Sequence, residues 1–214
     1  MIGLVHRHLP GIYHLSLSRQ VAGADWQWEE PLSFLAVAPL LLPLTRLATL
    51  DLVEVQVMPL PPPPLEAPVF HLTSLIHRAP DRAHTLPRAH LAWLLAGSAT
   101  SLDTLGLDGC ESDTLSFISE YPAPIDTVTL KMSPFNLDTD LARLLAIARR
   151  PGLTLLGLLD LAICSQDQQD VLAEAVAKLH EEMGREVIFP LVGMNEEFGS
   201  REVEEDRSQA GDEL

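Results

Sequence analysis

The nine residues Leu102-Asp-Thr-Leu105-Gly-Leu107-Asp-Gly-Cys110 read L-x-x-L-x-L-x-x-C, and the pattern returns as Leu156-Gly-Leu-Leu159-Asp-Leu161-Ala-Ile-Cys164. Apolar residues at alternate positions mark a strand with one buried face, and the residues after them mark a tight turn. The two cysteines stand 164 − 110 = 54 residues apart, two periods of 27. The frame therefore predicts Leu105, Leu107, Leu159 and Leu161 in the core, with Cys110 and Cys164 at equivalent turns.

Looser copies precede and separate these two. They are Ile12-Tyr-His-Leu15-Ser-Leu17, Leu47-Ala-Thr-Leu50-Asp-Leu52, Leu72-Thr-Ser-Leu75-Ile-His77 and Ile125-Asp-Thr-Val128-Thr-Leu130. In the third, His77 stands where a leucine is expected. Strand anchors thus fall at 12, 47, 72, 102, 125 and 156, and the first interval of 35 residues implies an insertion.

Helices are expected between the anchors. One spans 31–42 and is bent or ended by Pro39. Another spans 87–99, with Ala89, Leu91, Trp93, Leu94 and Leu95 as its apolar positions. A third spans 111–121, turning Leu115, Phe117 and Ile118 inward. A fourth is capped by Asp138 or Thr139 and runs to Arg150. The last is capped by Ser165, closes at Gly184 and carries the stripe Val171, Leu172, Ala175, Val176 and Leu179. A final strand is expected at 186–190.

Alternating strands and helices exclude a helical bundle. A doubly wound nucleotide-binding sheet alternates in the same way, but it needs a glycine-rich phosphate turn. Neither G-x-G-x-x-G nor G-x-x-x-x-G-K-[ST] occurs in the chain.

Hydrophobic residues make up 47% of the 214 and aromatics only 5%, a balance suited to stacked aliphatic layers. The net charge of −16 argues against nucleic acid as a partner, because phosphate neutralisation needs Lys and Arg. Residues 195–214 hold eight Asp/Glu and two Arg, a net of −6. The domain reading is a repeat region over 1–194, interrupted by a stiff proline-rich loop at 57–68, then an acidic disordered tail.

Two cysteines at like turns, two repeats apart, are too distant to form a disulfide, which suits a reducing compartment, cytoplasm or nucleus. The N-terminus shows no signal-peptide run. The uncharged stretch 31–45 is short for a membrane span and broken by Pro31, Pro39 and Pro43.

Strands with L-x-x-L-x-L-x-x-C and helices of variable length resemble the ribonuclease-inhibitor-like class of leucine-rich repeats. The irregular spacing, with junctions such as Ala92-Trp-Leu-Leu95-Ala-Gly-Ser-Ala-Thr-Ser-Leu102, looks most like the repeat region of fungal F-box proteins. The resemblance covers residues 10–192. It implies an α/β solenoid with short parallel strands on the concave side and helices on the convex side. It also implies a non-catalytic protein-binding module, like the substrate-recognition repeats of an F-box ubiquitin ligase. No helical F-box precedes the first strand, so the resemblance implies a fragment or a variant without the ligase-docking part. A stand-alone repeat scaffold, and an α/β enzyme whose site assembles only in three dimensions, are the alternatives.

Catalytic and metal patterns are missing from the sequence. Eight histidines include no H-E-x-x-H pair and no Cys/His zinc spacing, and there is no G-x-S-x-G elbow. The histidines are read as surface or strand-edge residues, Cys110 as buried and inert, and no cofactor is expected. The candidate site is instead the strand face opposite the leucines. It comprises His14, Ser16 and Ser18, then Thr49 and Asp51, then Ser74, Ile76 and Arg78, then Thr104 and Asp108. Thr127, Thr129 and Lys131 continue it, with Leu158 and Asp160 at the end. Small polar side chains on such a face suit a protein or peptide partner.

Overall fold

A computed structural model describes residues 11–18, 34–53, 55, 66–79, 85–131, 136–159, 166–183 and 191–192. Seven strands form one all-parallel sheet: β1 His14–Ser18, β2 Thr49–Val53, β3 Ser74–Arg78, β4 Thr104–Asp108, β5 Thr127–Lys131, β6 Leu155–Leu159 and the two-residue β7 Leu191–Val192. They lie side by side in chain order, β1-β2-β3-β4-β5-β6-β7. A doubly wound sheet reverses its strand order about a switch point, so this order excludes that topology.

The alternation in the sequence explains the pairing. Leu15, Leu50, Leu75, Leu105, Val128 and Leu156 stand in one row across the sheet, at intervals of 35, 25, 30, 23 and 28 residues. Leu17, Leu52, His77, Leu107, Leu130 and Leu158 form the next row toward the strand ends. From β2 to β6 both rows are buried. A strand slipped by one residue would turn its leucines to the opposite face, which is why the register is strongly specified.

The strand entries are locked by a repeated backbone device. The carbonyls of Tyr13, Ala48, Thr73, Asp103 and Asp126 each accept two successive N–H groups of the next unit. Asp126 thus receives Thr154 N at 2.8 Å and Leu155 N at 3.1 Å, and Asp103 receives Asp126 N at 2.9 Å and Thr127 N at 3.0 Å. Both lone pairs of each carbonyl are used, so no buried acceptor is stranded at the rim.

Among the described residues five helices occupy the crossovers: α1 Phe34–Leu41, α2 Arg88–Leu94, α3 Ser112–Glu120, α4 Leu137–Ala148 and α5 Gln166–Met183. Leu91, Leu94, Leu115, Ile118, Leu144, Ile147 and Leu179 join the strand leucines in one apolar core, so helices cover one face of the sheet. The β2–β3 crossover has no helix among the described residues. There Phe70 and Leu72 fill the core, and Phe34 of α1 meets His90 and Trp93 of α2 edge-on at 4.7 and 5.9 Å.

The sheet is open, with no pairing between β1 and β7, and is not curled. This corrects the expected concave strand side and convex helix side: the two layers are present, the curvature is not. Helices pack about 8–10 Å apart and strands about 4.8 Å, so a full helix layer splays the units and bends the sheet. Short helices such as the eight-residue α1 and the seven-residue α2 demand less splay.

The frame of β6 is a second correction. Leu156, not Leu159, pairs with Val128, and Leu158, not Leu161, pairs with Leu130. The run Leu153-Thr-Leu-Leu156-Gly-Leu158-Leu-Asp-Leu161 fits L-x-x-L-x-L in two frames three residues apart, and the fold takes the earlier. In that frame Thr154 enters the carbonyl ladder and its hydroxyl donates to Asp126 Oδ1 at 2.7 Å. In the other frame Gly157, with no hydroxyl, would stand there. The repeat of 54 residues between cysteines is therefore 156 − 105 = 51 between strands, and Cys110 matches the buried Val55 three residues after Leu52 rather than Cys164. Cys164 and Leu161 lie outside the described residues.

Helix details shift as well. Asn136, not Asp138 or Thr139, caps α4: its side chain accepts from Asp138 N at 3.0 Å. In α2 the buried face is His90, Leu91 and Leu94, followed by Leu95, while Ala89 is exposed. In α5 Leu172 and Leu179 are buried, but Val171 is 44% exposed. The expected strand at 186–190, the cap Ser165, the proline run 57–65 and the tail 195–214 lie outside the described residues.

Candidate functional site: the open sheet face

With helices on one face only, the alternate residues of the strands form the other. Its first row is His14–Thr49–Ser74–Thr104–Thr127–Leu155, and its middle row is Ser16–Asp51–Ile76–Gly106–Thr129–Gly157. A third row holds Ser18–Val53–Arg78 and then Asp108–Lys131. Thirteen of the fifteen residues expected on this face therefore come together on one surface. Of the other two, Leu158 faces the core and Asp160 lies outside the described residues.

His14, Ser16, Ser18 and Arg78 are exposed, and Thr49, Asp51, Ser74, Ile76, Thr104, Asp108, Thr127, Thr129 and Lys131 are half-buried. Leu158, also expected here, is buried in the core row, a consequence of the earlier β6 frame. Four positions of the face, Val53, Gly106, Leu155 and Gly157, are absent from the predicted set. Val53 and Gly106 follow from the alternation in their strands. Leu155 and Gly157 become visible only in the correct frame.

Charge on this face is sparse. His14 Nε2 lies 3.9 Å from Asp51 Oδ2 at an exposed edge, a geometry that contributes little. At the entry rim, Asp126 accepts hydroxyl donors on both oxygens, from Thr127 at 3.1 Å and Thr154 at 2.7 Å. Asp103 receives Thr104 Oγ1 at 3.5 Å. Since Thr104 and Thr127 belong to the first row, both carboxylates border the open face.

The shifted ionisable groups lie on the helix side. Burial pushes the Cys110 thiol far up, with Asp108 and Glu111 adding to it, so this cysteine is no thiolate nucleophile. His77 and His90 are buried, which corrects their reading as surface residues, and desolvation lowers both imidazoles. Among the described residues no three His, Cys, Asp or Glu side chains gather as metal ligands, and no helix is long and apolar enough to cross a membrane. Comparison with family models, with curated proteins and with solved structures gives no match.

Proposed function

We propose that the chain is a leucine-rich-repeat solenoid acting as a non-catalytic protein-interaction module in the cytoplasm or nucleus, resembling the substrate-recognition repeats of an F-box ubiquitin ligase. The observation that carries this reading is the open face. Six consecutive strands each turn alternate side chains to one surface on which no described helix packs. A surface assembled from six in-register units suits a macromolecular partner. Its half-buried residues are mostly hydroxyl, glycine and aliphatic, and such groups lose little hydration when covered.

The test is affinity purification of the full chain with mass spectrometry, beside Ile76→Glu and Thr129→Glu variants. Each variant puts a charge in the middle row while leaving the leucine rows intact. Loss of the same partner in both, with an unchanged circular dichroism spectrum, supports the reading. Partners that survive both substitutions overturn it. Co-purification of a cullin and its adaptor supports the ligase assignment, and a specific partner without them leaves a stand-alone scaffold.

A further inference from the structure

We infer that the β3–α2 unit is an acid-released element: on mild acidification it opens at His77 and His90, and the open face, which β3 spans at Ser74, Ile76 and Arg78, gives up its partner. The release rests on the open face being a partner surface; the opening does not.

Both buried imidazoles belong to one unit, His77 to β3 and His90 to the helix that follows it. His77 is 0% exposed and fills a leucine position between Leu52 of β2 and Leu107 of β4. Its ring nitrogens have no hydrogen-bond partner of good geometry, although the backbone of Val55 and Asp108 lies close. His90 is 2% exposed, stands edge-on to Phe34 at 4.7 Å, and its Nδ1 has no partner. All other members of the two core rows from β2 to β6 are aliphatic. The β3–β4 ladder is also shorter than its neighbours. Five residue pairs join each of the other strand pairs from β1 to β6, whereas this one stops at the fourth, His77 with Leu107.

A neutral imidazole fits such a core, but an imidazolium without a counter-ion does not. Among the described residues no carboxylate or cation acts on either ring. Asp51 and Asp108 alternate onto the open face, Arg88 pairs with Glu120 at 3.8 Å on the outer surface, and Glu111 accepts from Thr85. Cys110 and Tyr121 share the core but stay neutral, because burial raises both. Desolvation lowers both imidazoles from the ordinary 6.5, so below that pH the opened unit binds protons that the closed one refuses. The closed unit is therefore most stable above pH 6.5 and loses stability as pH falls. At pH 5.5 the opening equilibrium rises about tenfold for each ring, up to about a hundredfold for the two. Each strand pairs only with its sequence neighbours, so β4 to β6 keep their own ladders when this unit opens.

The experiment is hydrogen exchange of the full chain, read by mass spectrometry at pH 7.5 and 5.5 and corrected for the intrinsic pH dependence of exchange. Acidification should raise the opening constants of residues 74–78 and 88–94 by up to about a hundredfold, and those of 127–131 and 137–148 by less than about threefold. His77→Leu with His90→Phe, which leaves no ring to protonate, should abolish the difference, and either substitution alone should remove about tenfold of it. Equal acceleration in every strand, or the same acceleration in the double variant, would overturn the inference. A cellular partner captured at pH 7.5 should elute from the wild type at pH 5.5 and stay on the double variant; elution from both, or from neither, rules out release through this unit. If the partner is lost on Ile76→Glu and Thr129→Glu but unmoved by acid, the inference fails and the open-face reading stands. If no partner is captured, or it survives those substitutions, the open-face reading fails and takes the release with it, while the opening stands or falls on the exchange data.

Discussion

His77 sits between Leu52 and Leu107 in a buried row, and neither ring nitrogen has a hydrogen-bond partner of good geometry. Desolvation holds its pKa below the ordinary 6.5, while the backbone of Val55 and Asp108 pulls weakly the other way. The ring is therefore neutral in the folded protein at pH 7. Below about pH 6.5 the unfolded chain takes up a proton that the folded chain refuses, so stability is complete above that pH and falls as pH drops through it. His77→Leu restores the leucine of the pattern and removes two unpaired polar atoms, each kind costing about 1–3 kcal/mol when buried. Urea denaturation should show the variant about 1–2 kcal/mol more stable at pH 7.5, with a smaller loss between pH 7 and 5.5. A less stable variant with unchanged pH dependence would mean that the ring is well bonded. Gly97 makes a contrasting residue-scale case. A Cβ there would lie 2.6 Å from Phe70 O, backbone that cannot swing away. Gly97→Ala should cost about 1–3 kcal/mol, whereas Gly106→Ala should not destabilise.

α2 is tied to α3, and α3 to α4, by side chains that take up carbonyls at the end of the earlier helix. The last carbonyls of a helix have no partner inside it. Tyr121 Oη, after α3, donates to Leu95 O after α2 at 2.6 Å, and burial pushes this phenol up to about 12. Arg150, after α4, donates to Ile118 O at 2.7 Å and Ser119 O at 3.3 Å, and also to Ala123 O. A cation at a helix C-terminus also faces the negative end of its dipole. Arg150→Ala leaves part-buried carbonyls unpaired, and charge-assisted bonds of this kind contribute about 1.5–3 kcal/mol. The midpoint of thermal unfolding should fall by several degrees, and a change under one degree would mean that water replaces the guanidinium. At the other end of α4, Asp140 is 3% exposed and accepts from Asn136 N at 3.0 Å and from Ser112 Oγ of α3. Here the cap and the helix–helix junction are one carboxylate.

At the scale of the molecule, among the described residues each strand pairs only with its sequence neighbours, and consecutive helices touch in the same order. Stability in such an arrangement is a sum over units and the junctions between them. Interior units have two junctions and edge units one. The burial of β1 reflects this, since Leu15 and Leu17 are half-buried where Leu50 and Leu52 are fully enclosed. Leu52→Ala should therefore cost about 2–5 kcal/mol and Leu17→Ala about 1 kcal/mol. Leu107→Asp, a charge in the central row, should unfold the domain. Hydrogen exchange should protect β3, β4 and β5 most and β1 least. Uniform protection from β1 to β6 would show a single cooperative block and contradict the additive picture.

Five of the six strand anchors were legible in the chain, because alternation between leucine and a polar residue is a local property that the pleat converts directly into two faces. The thirteen open-face residues followed from it. The sixth anchor was not legible. Leu153 to Leu161 satisfies the pattern in two frames, and the choice belongs to β5, whose Asp126 receives the Thr154 hydroxyl and whose Thr129 lies against Gly157. The burial of His77 and His90 was hidden for a related reason. Spacing shows that a position faces the core, but not that the core accepts an imidazole without a partner. Curvature was beyond reach too, since it depends on how thick the helix layer is across every crossover together. Pattern along the chain determined which side chains share a face, and packing between units decided register, burial of the exceptions and shape, because those energies arise only when one unit meets the next.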